Sequence, residues 1–126
     1  MKAHTALRIT AISGFLAVAL GAIGAHGLES SLKAKLEAAQ LAKQLGWWHT
    51  AGLYHIVHSV AMLAIALREP LCKVPWTLML LGILLFSGSL YIMGATGSTA
   101  LRHITPFGGL FLLAGWLALA FPRRGC

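Results

Sequence analysis

Four runs of apolar residues separated by short polar stretches dominate the chain: about Ile9 to Gly27, Trp48 to Leu67, Val74 to Gly94 and Ile104 to Phe121. At about 1.5 Å of rise per residue, each run folded as a helix is close to the roughly 30 Å hydrocarbon thickness of a bilayer, the fourth being the shortest. The pattern predicts four transmembrane helices. Between the first and second runs, Leu28, Leu32, Leu36, Leu41 and Leu45 are interleaved with Glu29, Lys33, Lys35, Glu37 and Lys43, and Ser30 and Ser31 are candidate N-caps. This pattern predicts a short amphipathic helix lying on the membrane surface. The expected fold class is all-α, an integral membrane four-helix bundle with that short amphipathic surface helix between helices 1 and 2, forming a single transmembrane domain over residues 1–126. The first run follows Lys2 and Arg8 and ends in Gly-Ala-His-Gly, a pattern that can mimic a secretory signal; it is read as the first spanning helix.

Composition strengthens the membrane reading. Of 126 residues, 58% are hydrophobic and only 10% charged, with a mean hydropathy of +0.79, where an ordinary soluble domain is about a quarter charged. The four runs leave no room for a separate soluble catalytic domain. A net charge of +7 would suggest nucleic acid in a soluble protein, but the ten Lys and Arg residues are scattered around the apolar runs. They read as topology signals, and no nucleic-acid partner is expected. Lys2, Arg8, Arg68, Lys73, Arg123 and Arg124 fall on one side of an even-numbered topology, and Lys33, Lys35, Lys43 and Arg102 on the other. The richer side tends to stay inside, which favours both termini facing the cytoplasm in a bacterial inner (plasma) membrane. Trp47, Trp48 and Trp76 mark helix ends at the interfaces, and Trp116 lies in the inner part of the fourth helix. Cys72 and Cys126 sit far apart without a CxxC or zinc spacing, so neither a disulfide framework nor a structural zinc site is supported.

Small residues Ser13, Ala17, Gly21 and Ala25 recur at four-residue spacing in the first helix, a pattern that lets helix backbones approach closely in lipid. It predicts a seam inside the bundle. The three acidic residues, Glu29, Glu37 and Glu69, all lie in loops, so the intramembrane carboxylate of a proton-coupled small multidrug transporter is missing.

Histidine is the unusual residue within the runs. His55, His58 and Ser59 form one polar stripe on the second helix, with His49 pointing about 120° away from His55. With the termini inside, the outer helix ends bring together His26, His49, Tyr91, His103 and Thr105, with His55 roughly 9 Å deeper than His49. Ser87 and Ser89 add hydroxyls, and Thr105 as N-cap with Pro106 at the first helical position would aim a helix N-terminus at this region. Polar groups within lipid must be satisfied, so these residues either hydrogen-bond one another as interhelical glue or line a ligand pocket. The bland reading is favoured. A haem site lacks facing histidines at one depth, a zinc or copper site on His26, His49 and His103 has no local spacing behind it, and Ser59 or Ser87 as a nucleophile has neither a GxSxG elbow nor an acidic orienter.

Gly24-Ala25-His26-Gly27, Tyr54-His55-Ile56-Val57-His58-Ser59, Phe86-Ser87-Gly88-Ser89-Leu90-Tyr91 and Ile104-Thr105-Pro106-Phe107-Gly108-Gly109 with Gly115-Trp116 together make the chain resemble the YgdD family. These are small bacterial inner-membrane proteins with transmembrane relatives in eukaryotes, of the domain-of-unknown-function type. The likeness runs in order along nearly the whole chain and implies a four-helix membrane protein. It carries over no activity, cofactor or catalytic residue. Its motif positions are the polar residues already singled out.

Two functional readings follow. The first is a non-enzymatic accessory or scaffold protein, acting in the lipid bilayer through helix packing with a membrane-protein partner or with itself. The alternative is a binding protein that holds a lipid, quinone or metal in an outer-half pocket of His26, His55, His58, Ser59, Ser87, Tyr91 and Thr105. The sequence specifies no cofactor.

Overall fold

The computed structural model describes residues 1–121; Arg123, Arg124 and Cys126, which entered the charge and cysteine arguments, lie outside the described residues. Within them the chain forms four long helices and no strand: α1 (Ala3–Lys33), α2 (Ala38–Ala66), α3 (Lys73–Thr96) and α4 (Ile104–Ala120). Two of these, α1 and α3, are long and apolar enough to cross a membrane by length and composition. The 17-residue α4 is shorter, and α2 has its apolar half interrupted by His49, His55 and His58.

The segment expected as a surface helix is divided between its neighbours. Glu29–Lys33 continues α1, and α2 begins at Ala38. The physical reason lies in the composition of residues 28–45, which are rich in Leu, Ala, Lys and Gln and contain neither Gly nor Pro, so nothing local stops either helix. The chain reverses only over the four residues 34–37, where Glu37 turns extended (φ −62°, ψ 151°). At 31 and 29 residues, α1 and α2 run about 46 and 43 Å, longer than the roughly 30 Å hydrocarbon layer.

Both α1 and α3 contain one wide π turn, at Gly24–Leu28 and Ile83–Ser87 respectively. Consecutive helices pack against one another, α1 on α2, α2 on α3 and α3 on α4. The last contact is close because three glycines remove side chains from it. A Cβ on Gly108 would run into the Leu85–Phe86 backbone, one on Gly82 into Leu112, and one on Gly115 into Met79.

The α1 seam is not the expected stripe. Ala6, Thr10, Ser13, Ala17 and Gly24 are buried, whereas Gly21 and Ala25 are exposed and a Cβ on Gly21 would meet nothing. Four residues turn a helix by about 400°, so a strict four-residue stripe drifts about 40° per step and leaves the contact; steps of three and four hold it.

Apolar packing gathers in two places. At the end holding Met1 and the α2–α3 connection, Ala6, Met62, Ile65, Trp76, Met79, Ile83 and Leu112 form a core; nearer the other end Trp48, Ala51, Leu90 and Tyr91 form a smaller one. Cys72 is buried in the first and is not a free thiol. Phe15 (71%), Leu84 (61%) and Leu113 (62%) are instead exposed on the outside, while Ser13, His55, His58, Ser59, Ser87 and Ser89 are buried within. Apolar outside and polar inside is the distribution a lipid solvent favours.

Candidate functional site

The polar residues of the helices engage one another in several separate sets. The largest runs across α1, α2 and α3. His55 and Ser59 are one helical turn apart on α2 and meet Ser13 of α1: Ser13 Oγ lies 3.2 Å from His55 Nε2 and 2.7 Å from Ser59 Oγ. On the other edge of the ring, His55 Nδ1 lies 3.1 Å from the Tyr91 hydroxyl. Tyr91 is held edge-on against Trp48, with ring centroids 4.8 Å apart. Four side chains thus form one hydrogen-bonded line, Tyr91–His55–Ser13–Ser59, and all four are buried. Each neutral imidazole nitrogen can donate or accept according to tautomer, so the line can be polarised in either direction.

His58 belongs to a different set although it is only three residues from His55. Its Nδ1 donates to the Tyr54 carbonyl at 2.7 Å, and its Nε2 accepts from the Trp116 indole N–H at 3.0 Å. An indole nitrogen only donates and a carbonyl only accepts, so His58 is neutral with its proton on Nδ1. Ser87 donates to the Ala51 carbonyl at 2.9 Å. Ser89 donates to Phe86 O, which leaves the Thr105 hydroxyl as the donor in the 2.6 Å contact between Thr105 and Ser89. That role replaces the expected cap. The N-cap of α4 is His103, and Thr105 and Pro106 lie inside its first turn, where proline is tolerated because those N–H groups have no helical acceptor.

Of the residues singled out from sequence, His55, Ser59 and Tyr91 therefore converge, His58 and Ser87 bind elsewhere, and Thr105 closes a separate α3–α4 contact. His26 is exposed in the π turn of α1, as are His49 and His103. Among the described residues, no three His, Cys, Asp or Glu side chains gather closely enough to hold a metal ion.

Sequence reasoning passed over the partners. Ser13 was read as a small seam residue, and the tryptophans as interface markers. Three of the four indoles donate inside the bundle: Trp116 to His58, Trp76 to Thr10 Oγ1 at 3.0 Å and Trp48 to the Leu20 carbonyl at 2.9 Å. The signal available was the indole N–H itself, which needs an acceptor wherever it leaves water. Gln44 was missed as well. It is buried, donates to Gly94 O at 2.9 Å near the end of α3 and accepts from Gln40, so one helix satisfies a terminal carbonyl of another.

Among the described residues, no buried side-chain nitrogen or oxygen lacks a hydrogen-bond partner. A shallow groove of about 330 Å³ lies between α1 and α2, lined by Ala17, Val18, Gly21, Gly52, Leu53 and Ile56 beside Trp48 and His49. The groove is apolar and opens outward.

A family model described as "Protein of unknown function (DUF423)" matches residues 20–109, which contain every polar set above except the Ser13 and Trp116 partners and Thr10. The chain belongs to the DUF423 family. It is 41% identical over 119 residues to a UPF0382 membrane protein of Haemophilus influenzae, covering 91% of this chain and 90% of that one. The UPF0382 inner membrane protein YgdD of Escherichia coli is 36% identical over 135 residues, covering 99% and 97%. A UPF0382 membrane protein of Schizosaccharomyces pombe is 35% identical over 122 residues, covering 91% and 98%. No solved structure matches. DUF423 membership makes this a membrane protein of a family without assigned function, and its environment is the lipid bilayer.

Proposed function

We propose that this DUF423 protein is a non-enzymatic accessory or scaffold protein, a single four-helix transmembrane domain whose polar interior fixes helix register and whose outer surface meets a membrane-protein partner or a second copy. One observation carries the reading: among the described residues, every buried side-chain polar atom is already paired within the chain. A site built to receive a ligand keeps donors or acceptors for it, whereas the seven residues weighed as a pocket, from His26 to Thr105, either spend theirs on partners within the chain, such as Ser13, Ala51 O, Ser89 and Trp116, or stand at the surface. Native mass spectrometry of gently purified protein, with its absorption spectrum, tests this. The reading expects a homo-oligomer or a stoichiometric protein partner and no chromophore; a bare monomer carrying a quinone or metal overturns it in favour of the pocket.

Both termini are proposed to face the cytoplasm of the inner membrane. The excess of Lys and Arg on that side supports the orientation, and the description of the E. coli relative as an inner membrane protein supports the choice of membrane. A cysteine at Lys35 should then react with an impermeant maleimide in intact cells, and one at Glu69 only after permeabilisation. The opposite pattern reverses the orientation.

A further inference from the structure

A cavity of about 1020 Å³ lies at the opposite end from Gln44 and the α1–α2 reversal. Met1 and Ala3 border it from the start of α1, residues 68–75 from the α2–α3 connection, and Leu117, Ala118 and Phe121 from the end of α4. Its chemistry is divided. Among the described residues, its lining carries Arg68 and Lys73, with Met1 beside them, against one acidic residue, Glu69. Among the described residues, neither Arg68 nor Lys73 has an ion-pair partner. The remaining wall is apolar, and Val74 (61%), Leu117 (62%) and Phe121 (78%) stay largely uncovered by the protein itself.

We propose that this cavity is a binding site for an anionic phospholipid, its phosphate held between Arg68 and Lys73 and one acyl chain lying along Val74, Leu117 and Phe121. A membrane-interface position explains both halves of the lining. Unpaired cations at the end of spanning helices attract anionic headgroups at a strength of roughly fivefold in affinity per Lys or Arg, and the bare apolar wall continues directly into the hydrocarbon layer. The concavity adds what a flat basic rim lacks, since it lets a single lipid contact α1, the α2–α3 connection and α4 at once. The site is separate from the polar line around His55 and does not depend on the accessory reading.

The test is native mass spectrometry of the full chain in detergent, titrated with phosphatidylglycerol or with phosphatidylcholine of the same acyl chains. Wild type should retain one phosphatidylglycerol in preference to phosphatidylcholine. Arg68→Gln with Lys73→Gln should weaken retention by roughly tenfold or more, and Arg68→Lys with Lys73→Arg should restore most of it. Ala118→Trp, which fills the cavity without touching a charge, should weaken it too, whereas Lys33→Gln with Lys35→Gln at the other end should not. Melting curves of each variant separate lost binding from lost folding, and the charge-preserving pair and the lysine control supply the answer where one variant fails to fold. Equal retention of the two lipids by wild type, or equal loss in the Lys33/Lys35 control, overturns the proposal.

Discussion

Trp116 of α4 donates its indole N–H to Nε2 of His58 on α2, 3.0 Å away, and this one contact fixes which nitrogen of the histidine carries the proton. Trp116 is half-exposed on the outside of the bundle (47%) while His58 is buried (5%), so the bond ties an outer side chain to the interior. Trp116→Phe keeps the ring and removes the donor. The expected cost is about 0.6 to 1.7 kcal/mol in detergent unfolding. In a His58→Leu background the same substitution should cost nearly nothing; an equal cost in both backgrounds would mean that the hydrogen bond contributes no stability.

Gly108 and Gly109 are adjacent on α4 and differ sharply in what they face. A Cβ on Gly108 collides with the backbone of α3, whereas one on Gly109 reaches only ordinary contact with the Phe86 ring, 3.7 Å away. Gly108→Ala should therefore destabilise by about 1 to 3 kcal/mol, as overpacking does, and Gly109→Ala should stay within about 0.5 kcal/mol of wild type. Thermal unfolding of the two variants side by side measures the difference. Equal stability would place the close helix contact elsewhere.

Gly21 and Gly24 make the corresponding contrast on α1. Trp48 lies where a Cβ on Gly24 would be, while Gly21 faces open space beside the outward groove. Gly24→Ala is expected to displace the indole and lose its hydrogen bond to Leu20, and Gly21→Leu is expected to leave stability close to wild type. A larger loss in Gly21→Leu than in Gly24→Ala would restore the four-residue stripe as the seam.

That contrast also marks how far the sequence was legible. Helix number and apolar character follow from run length against bilayer thickness, and the shared face of His55 and Ser59 follows from one helical turn. Periodicity within one helix says nothing about which neighbour lies opposite, so the step from His55 to Ser13 and Tyr91, and from His58 to Trp116, was out of reach. The same gap separated His55 from His58: they share a stripe on a helical wheel, yet α1 and α3 stand at one edge of it and α4 at the other. The seam of α1 depends on a drift of tens of degrees that accumulates over three turns, and the two π turns alter that drift locally. The Leu28–Gly46 segment has the composition of a surface helix, and it joined its neighbours because antiparallel packing of α1 on α2, rather than any breaker residue, sets where the chain turns.

The last prediction concerns the polar line itself. Ser13 is its hub, since its single hydroxyl meets both His55 Nε2 and Ser59 Oγ. Ser13→Ala therefore strips a partner from two buried groups, while Tyr91→Phe strips one from His55 Nδ1. Ser59→Ala removes only a terminal member and leaves Ser13 bonded to His55. An unsatisfied buried group costs more than the bond is worth, and in lipid such interhelical bonds contribute about 0.6 kcal/mol on average and up to about 2. The expected order of destabilisation is Ser13→Ala above Tyr91→Phe, with Ser59→Ala smallest, and the whole series should span no more than about 3 kcal/mol. Unfolding of the three variants in one detergent gives the order directly. If Ser59→Ala equals or exceeds Ser13→Ala, the serine hydroxyls are satisfied by their own helix carbonyls and the line across three helices does not hold the bundle together.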